Sequence, residues 1–96
     1  MFLKVSVKLL SEEETSAAKP ISNGYSCLIK TYNSPLLRCS FVLPAYKSLN
    51  TGDKYTNVGI EILNNNYPDK FNPRDRIYFY VEHNLIAEGL IESKLP

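Results

Sequence analysis

The sequence is poor in the residues that build metal centres and membrane spans. It has one histidine, two cysteines without a C-x-x-C spacing, and no tryptophan. One histidine and two cysteines are too few for a typical zinc site. No apolar run approaches the roughly 20 residues of a membrane-spanning helix. We therefore expect no bound metal, no cofactor and no association with a membrane.

The chain also lacks an excess of charge of either sign. Eleven lysines and arginines stand against ten aspartates and glutamates, which gives a formal net charge of +1. Binding to nucleic acid without regard to its sequence is disfavoured, because it usually requires a clear basic excess. The start, Met1-Phe2-Leu3-Lys4, meets a charge at once and lacks the apolar core of a secretory signal. We expect an unprocessed cytoplasmic protein.

No group of residues has the pattern of a catalytic centre. His83 is the one histidine, and no serine, cysteine or aspartate accompanies it with a spacing typical of catalysis. Its place next to Asn84 in a predicted turn favours a surface histidine. We therefore predict that the protein is not an enzyme.

What the sequence does contain is an alternation of apolar and polar residues with a period of two, which is typical of half-buried strands. Leu3, Val5 and Val7 share one face near the start, and Ile77 and Phe79 share another near the end. The predicted strands cover about residues 2–10, 25–32, 37–43, 54–64, 77–82 and 85–93. Such short strands without a long helix predict one all-β domain over residues 1–96, a six-stranded antiparallel barrel.

Two predicted hairpins fix local details. The hairpin centred near Asn33 brings Cys27 close to Cys39. Free cysteines behave as small buried hydrophobic residues, so we favour two reduced, packed thiols and keep a disulfide as the alternative. In the last hairpin, His83-Asn84 fits a two-residue turn.

A long loop joins the first two predicted strands between Leu9 and Tyr25. Its acidic part can form a helical turn over residues 12–18 with Ser11 as the N-cap. Pro20 then favours extended structure, and Asn23-Gly24 is a strong turn signal because both residues tolerate positive φ.

Short motifs at the strand ends follow a fixed order along the chain. They read Leu-Leu-Ser-x-Glu-Glu, Pro-Ile-x-x-Gly-Tyr, Leu-Pro, Thr-Gly-Asp and x-x-Gly-x-Ile, and the matching positions are Leu10-Ser11, Glu13, Pro20, Gly24-Tyr25, Leu43-Pro44, Gly52-Asp53 and Gly89. This ordered set resembles the third, C-terminal domain of translation elongation factor Tu over nearly the whole chain. The resemblance implies a Greek-key barrel of six antiparallel strands, which in that family helps to grip tRNA and packs on a GTPase domain.

The chain departs from that family where RNA would be held. The family's Gly-Gly-Arg before the proline is replaced by residues 15–19, its Arg-Pro-Gln by Ser26-Cys27-Leu28, and its final Gly-x-Gly by Ala87-Glu88-Gly89. A carboxylate beside a phosphate opposes binding, so tRNA binding is not carried over. No G-x-x-x-x-G-K-[ST] motif is present, so GTPase activity is not implied either.

Aromatic residues and the acidic loop are the candidate binding elements. Tyr78 and Tyr80 fall on the outward face of their strand, where aromatic side chains anchor interfaces or stack on bases, with cross-strand packing as the alternative. For the acidic run the alternative is a solvated loop. The candidate partner-binding residues are Glu12, Glu13, Glu14, Lys19, Tyr25, Tyr78 and Tyr80.

The sequence as a whole favours a non-enzymatic protein-binding module. One alternative is a translation-related protein that binds tRNA or another structured RNA, with Lys19, Lys30 and Arg38 as its grip. Another alternative is an immunity protein that neutralises a toxin, which a small, charge-balanced domain is compatible with.

Overall fold

The structure is a computed structural model that describes residues 1–10, 20–63 and 66–95. The expected helical turn over residues 12–18 and its Ser11 cap lie outside the described residues. None of the described helices is long and apolar enough to cross a membrane. In chain order the elements are β1 (Phe2–Leu9), β2 (Ile21–Ser22), β3 (Ser26–Thr31), β4 (Leu37–Val42), β5 (Ser48–Leu49), β6 (Lys54–Ile62), a 3₁₀ turn (Pro68–Lys70), β7 (Arg76–Val81) and β8 (Asn84–Leu95).

Six of the strands close into a barrel in the order β1-β6-β4-β3-β7-β8, and all neighbours are antiparallel. Strands β3, β4 and β6 are neighbours in the wall in chain order. Strand β1, which precedes them in the chain, pairs with β6, and this connectivity is a Greek key. The predicted all-β barrel of six antiparallel strands is confirmed. Closure leaves these six strands without a free edge.

The barrel is filled by the apolar residues of each alternating pattern. Leu3, Val5 and Ile77 are fully or almost fully buried, as the period of two predicts. Phe41 and Phe79 meet in the interior with ring centroids 5.2 Å apart. Burying one such large side chain contributes about 2 kcal/mol, so this interior is the main source of the barrel's stability.

A second, two-stranded sheet is present besides the barrel and was not predicted. It pairs β2 with β5, and its register places Ile21 opposite Leu49, both buried. Strands of two residues have no detectable period, so the alternation of apolar and polar residues does not reveal them. The turn predicted at Asn23-Gly24 is present: the Tyr25 amide donates to the Ser22 carbonyl at 3.1 Å, and Gly24 has φ 85°.

The final hairpin differs from the prediction by one residue. Its turn is Glu82-His83 and not His83-Asn84, because Asn84 already pairs with Val81 in the sheet. A β-bulge in β8 lies next to this turn: the partner of Phe79 is Ala87, whereas the partner of Tyr80 is Leu85. The strand also runs to Leu95, beyond the predicted end at 93.

Two β-bulges flank the middle of β1. On the β6 side, the partners of Val5 and Val7 are Val58 and Tyr55, so β6 carries one extra residue there. On the β8 side, the partners of Lys4 and Val5 are Ser93 and Ile91, so Glu92 is the extra residue. Bulges bend a strand and re-aim its side chains, so they shape the outer wall at this point.

Candidate functional site

Two surface grooves border β7, and they define the candidate sites. The first, of about 460 Å³, is named the cation groove and is lined by Ser6, Val7, Lys8, Lys54, Tyr55, Thr56, Arg76, Tyr78, Glu88, Gly89 and Leu90. The second, of about 320 Å³, is named the thiol groove and is lined by Ser26, Cys27, Leu28, Arg38, Cys39, Leu63, Tyr80, Val81 and Glu82. Tyr78 and Tyr80, both predicted as outward residues, therefore belong to different grooves.

A row of polar side chains from five neighbouring strands crosses the cation groove. Lys54 of β6 is paired with Lys8 of β1, and Lys8 is paired with Glu88 of β8. Glu88 is paired in turn with Tyr78 of β7, and Tyr78 with Lys30 of β3. Paired residues on one face of a sheet have Cβ atoms about 5 Å apart. Lysines thus stand on both sides of one carboxylate and one aromatic ring.

The charge of the cation groove is unbalanced. Its lining carries Lys8, Lys54 and Arg76 against the single carboxylate of Glu88. The chain as a whole is nearly neutral, with a net charge of +1, so this local excess is a property of the fold. Such a surface attracts anionic groups and speeds their encounter with the protein.

The bulges next to the groove are held by one carboxylate. Glu92 Oε2 accepts a hydrogen bond from Ser6 Oγ at 2.6 Å and another from the Asn57 amide at 3.0 Å. These two bonds, that from Ser6 above all, lower the pKa of Glu92 from its ordinary value. Asn57 is the positive-φ residue of the β6 bulge, with φ 57°. Glu92 therefore ties the bulged residues of β6 and β8 to β1.

The floor of the cation groove depends on Gly89. A Cβ atom added there would overlap the Ser6 carbonyl oxygen and lie 3.0 Å from Val7 Cα. The strands β1 and β8 thus approach more closely at this point than any side chain allows. Gly89 is one of the positions that match the elongation-factor family, and its physical role here is to allow the close approach of β1 and β8.

Tyr55 lines the cation groove, and its hydroxyl takes part in a hydrogen bond that holds the ring. The Asn50 amide donates to the Tyr55 hydroxyl oxygen at 2.8 Å. Lys47 Nζ lies 6.0 Å from the centre of the Tyr55 ring, within range of a cation–π contact. Lys8 and Lys54 could not be singled out from the sequence, because only the barrel register brings them together.

The thiol groove opens where the pairing of β3 with β7 ends. That pairing stops at Leu28 and Tyr80, and the floor beyond it holds Cys27 and Cys39. The two cysteines are direct register partners, as the predicted hairpin required, and their Sγ atoms are 3.6 Å apart. Both are free thiols, as the sequence analysis favoured. Hydrogen bonding to Cys27, with burial second, raises the pKa of the Cys39 thiol far above its ordinary value.

Two other residues considered in the sequence have packing or surface positions. Tyr25 lies against Phe41 in an edge-to-face contact with ring centroids 6.3 Å apart, and burial raises the pKa of its hydroxyl. It lines neither of these two grooves, and its role in partner binding stays a prediction. His83 is exposed in the β7–β8 turn, in agreement with the predicted surface histidine.

Four of the candidate residues, Glu12, Glu13, Glu14 and Lys19, lie outside the described residues, and their role stays a prediction. Within residues 1–10, 20–63 and 66–95, no group of three or more His, Cys, Asp or Glu side chains is arranged to hold a metal ion.

The fold defines the class of this protein as a small closed Greek-key barrel of six antiparallel strands. Comparison of the sequence with protein-family models found no matching family, and comparison with curated proteins found no match either. The resemblance to the third domain of elongation factor Tu stays a prediction. The fold agrees with the barrel that this resemblance implies, but unrelated proteins with different functions share barrel folds.

Proposed function

We propose that the chain is a non-enzymatic protein-binding module that holds an acidic segment of its partner in the cation groove. The observation that carries the proposal is the row of outward side chains around Tyr78, in which lysines flank one aromatic ring and one carboxylate. Tyrosine and arginine are enriched at the centres of protein interfaces, and Tyr78 and Arg76 both line this groove.

The scaffold supports binding because the groove is built on strands. Each cation in the row is anchored in a ladder of the closed barrel, and the bulges beside it are tied together through Glu92. A partner that docks here orders little of the backbone, so little of the binding free energy is lost to conformational entropy. The neighbouring side chain of Leu90, which is exposed, adds apolar surface to the polar row.

The charges select the chemistry of the partner. Three cations line the groove against one carboxylate, which favours a segment rich in aspartate or glutamate over a basic one. Glu88 stands in the middle of the row and sets the register of such a segment, because an acidic side chain placed directly over it would be repelled.

The second candidate function is binding of structured RNA, and the same three cations favour it. Phosphate binding would draw on Lys8, Lys54 and Arg76, and Lys30 would extend the track past Tyr78. Affinity for RNA that rests on phosphate contacts falls steeply with salt, whereas a protein interface with an apolar component is less sensitive. No feature of the described residues specifically favours the toxin-neutralising alternative, which stays a prediction.

The two functions are separated by titrating the full chain with three fluorescent probes: a glutamate-rich peptide, a lysine-rich peptide of equal length and an RNA hairpin. The proposal expects binding of the acidic peptide only. Arg76→Glu should weaken that binding about tenfold or more, because it reverses a charge inside the groove. Arg74→Glu is the matched control, since Arg74 is exposed and does not line the groove.

A tagged full chain in native lysate, at low and moderate salt, then identifies the partner. The expected result is a protein that survives moderate salt, is lost with Tyr78→Ala and is retained with Tyr46→Ala, a tyrosine exposed outside the groove. RNA that washes off with salt would support the second function instead. Equal loss with both tyrosine variants, or none with either, would contradict binding at the cation groove.

A further inference from the structure

We infer that Cys27 and Cys39 form a modification site, a dithiol at the floor of the thiol groove that reacts with small-molecule disulfides to close an intrachain disulfide. This inference concerns the other groove and does not depend on the proposed function. It starts from the register of β3 and β4, which places the two residues directly opposite each other with their Sγ atoms 3.6 Å apart.

The backbone geometry suits such a bond. The Phe41 amide donates to the Tyr25 carbonyl at 2.9 Å, so the backbone polar groups of Phe41 face β3, as they do in a hydrogen-bonded pair. Pair types alternate along an antiparallel ladder, so Cys27 and Cys39, two residues further along each strand, are a pair of the same type. Their Cα separation is then about 5.5 Å, which lies inside the range of protein disulfides. The Cβ atoms of such a pair are up to about 5.5 Å apart, so closing the bond needs rotation of the two side chains and a small approach of the two Cβ atoms.

The groove gives the two thiols unequal access. Cys27 is 8% exposed and Cys39 is 1% exposed, so a reagent that enters the groove meets Cys27 first. The walls are formed by Leu28 and Tyr80 beside the end of the β3–β7 pairing, and by Leu63, which is 60% exposed. The space of about 320 Å³ admits a small molecule and excludes a folded protein. Arg38 in the lining offers a cation to the carboxylates of a peptide-like disulfide such as oxidised glutathione.

The reaction proceeds by two exchanges. The Cys27 thiolate attacks one sulfur of the small disulfide, whose S–S bond breaks, and one small thiol leaves with the proton that Cys27 released. The Cys39 thiol then loses its proton and attacks Cys27 Sγ, which forms the intrachain bond and expels the second small thiol. Two electrons from the two cysteines reduce the small disulfide. The raised pKa of Cys39 fits its place as the second, resolving thiol.

The test treats the reduced, folded full chain with oxidised glutathione, quenches samples with acid and measures intact mass and alkylatable thiols. The expected product is a chain lighter by two hydrogen atoms with no alkylatable thiol. A transient adduct of one glutathione should precede it, and digestion should locate that adduct at Cys27. Because it is read in the unaltered chain, this result does not depend on whether a variant folds.

Two matched variants sharpen the order of events. Cys39→Ser should stop at the single-glutathione adduct, whereas Cys27→Ser should react at least about tenfold more slowly than Cys39→Ser, since its remaining thiol is buried. In urea the two variants should react equally, which attributes the difference to the fold. The inference is overturned if the native chain keeps both thiols free while Cys39→Ser is modified. A stable mixed disulfide that never closes, or equal native rates for the two variants, would overturn it as well.

Discussion

The two grooves both border β7, yet they differ in the residues that line them: cations in the first and a pair of cysteines in the second. Tyr78 lines the cation groove and Tyr80, two residues further on the same face, lines the thiol groove. The first is crossed by a row of lysines, whereas the second ends on two buried sulfur atoms. The difference lies in the neighbouring strands: β7 meets the charged outer face of β8 at Tyr78, and it runs past the end of its pairing with β3 at Tyr80.

The two grooves arise in different ways from the wall of the same closed barrel. The cation groove depends on insertion, because β6 and β8 each carry an extra residue beside β1 and bend there. The thiol groove depends on omission, because the pairing of β3 with β7 covers four residues of each strand and leaves Cys27 beyond its end. We therefore expect the shape of the cation groove to change when β1 and β8 are moved apart. We expect the thiol groove to change when Cys27 or Cys39 is replaced.

The largest expected effect is that of Gly89→Ala. The new Cβ would overlap the Ser6 carbonyl oxygen, which is backbone and cannot rotate away, so β1 and β8 must separate. We expect a loss of about 3 kcal/mol in the free energy of unfolding, measured by urea denaturation. The loss should be accompanied by weaker binding of the acidic peptide, because the separation disrupts the floor of the cation groove.

Gly24→Ala is the control for the glycine change. Gly24, unlike Gly89, has positive φ, at 85°, and a Cβ there meets nothing within 4 Å. Backbone strain alone should then cost about 1 kcal/mol. If the two variants lost the same stability, the close approach of β1 to β8 would not be what makes Gly89 necessary.

The second effect concerns the thiol groove. Cys39→Ser places a hydroxyl where a thiol is almost fully buried, and we expect a loss of about 2 kcal/mol in unfolding free energy. Cys27→Ser should lose about half as much, since Cys27 borders the open groove and its hydroxyl can reach water. Urea denaturation under reducing conditions measures both. A larger loss for Cys27→Ser would mean that the groove is closed over that residue.

The sequence predicted the parts of this fold that follow from local alternation. The strand faces of Leu3, Val5, Ile77 and Phe79 needed only a period of two, and the cysteine pairing needed only a hairpin. These are short-range patterns, which a single sequence displays directly.

The bulges and the grooves follow from contacts that are distant along the chain. Asn57 and Glu92 are ordinary polar residues in their strands, and nothing local marks them as bulged; their hydrogen bond joins residues 35 positions apart. The cation row likewise needs the register of five strands, which the sequence does not specify. The one available signal was Gly89, since a glycine inside a strand indicates a bulge or a close approach.

A third, smaller effect separates the packing contact of Tyr25 from its predicted role in partner binding. Tyr25→Leu keeps an apolar side chain but removes the edge-to-face contact with Phe41, and should reduce the unfolding free energy by about 1 kcal/mol. Peptide affinity should be unchanged, because Tyr25 does not line the cation groove. Tyr78→Ala should show the reverse, with lost affinity and little loss of stability. Loss of peptide affinity with Tyr25→Leu would instead support the predicted role of Tyr25 in partner binding.

The smallest expected effect depends on pH and belongs to the carboxylate that ties the bulges. Hydrogen bonds from Ser6 and Asn57 lower the pKa of Glu92 in the folded chain below its ordinary value of 4.5. A depressed folded pKa adds stability above the unfolded value, and this stability is lost as the pH falls through the folded value. Because Glu92 is exposed, we expect only about 0.5 kcal/mol at neutral pH relative to Glu92→Gln. Urea midpoints of the two proteins should converge below pH 4.5.

Ser6→Ala should act in the same direction as Glu92→Gln, because it removes the shorter of the two hydrogen bonds to Glu92. Ser93→Ala is the matched control, since Ser93 is exposed on the same strand as Glu92. A difference between wild type and Glu92→Gln that persists undiminished in acid would mean that the carboxylate stabilises the bulges by its shape and not by its charge, and the cation groove would then keep its form across the whole pH range.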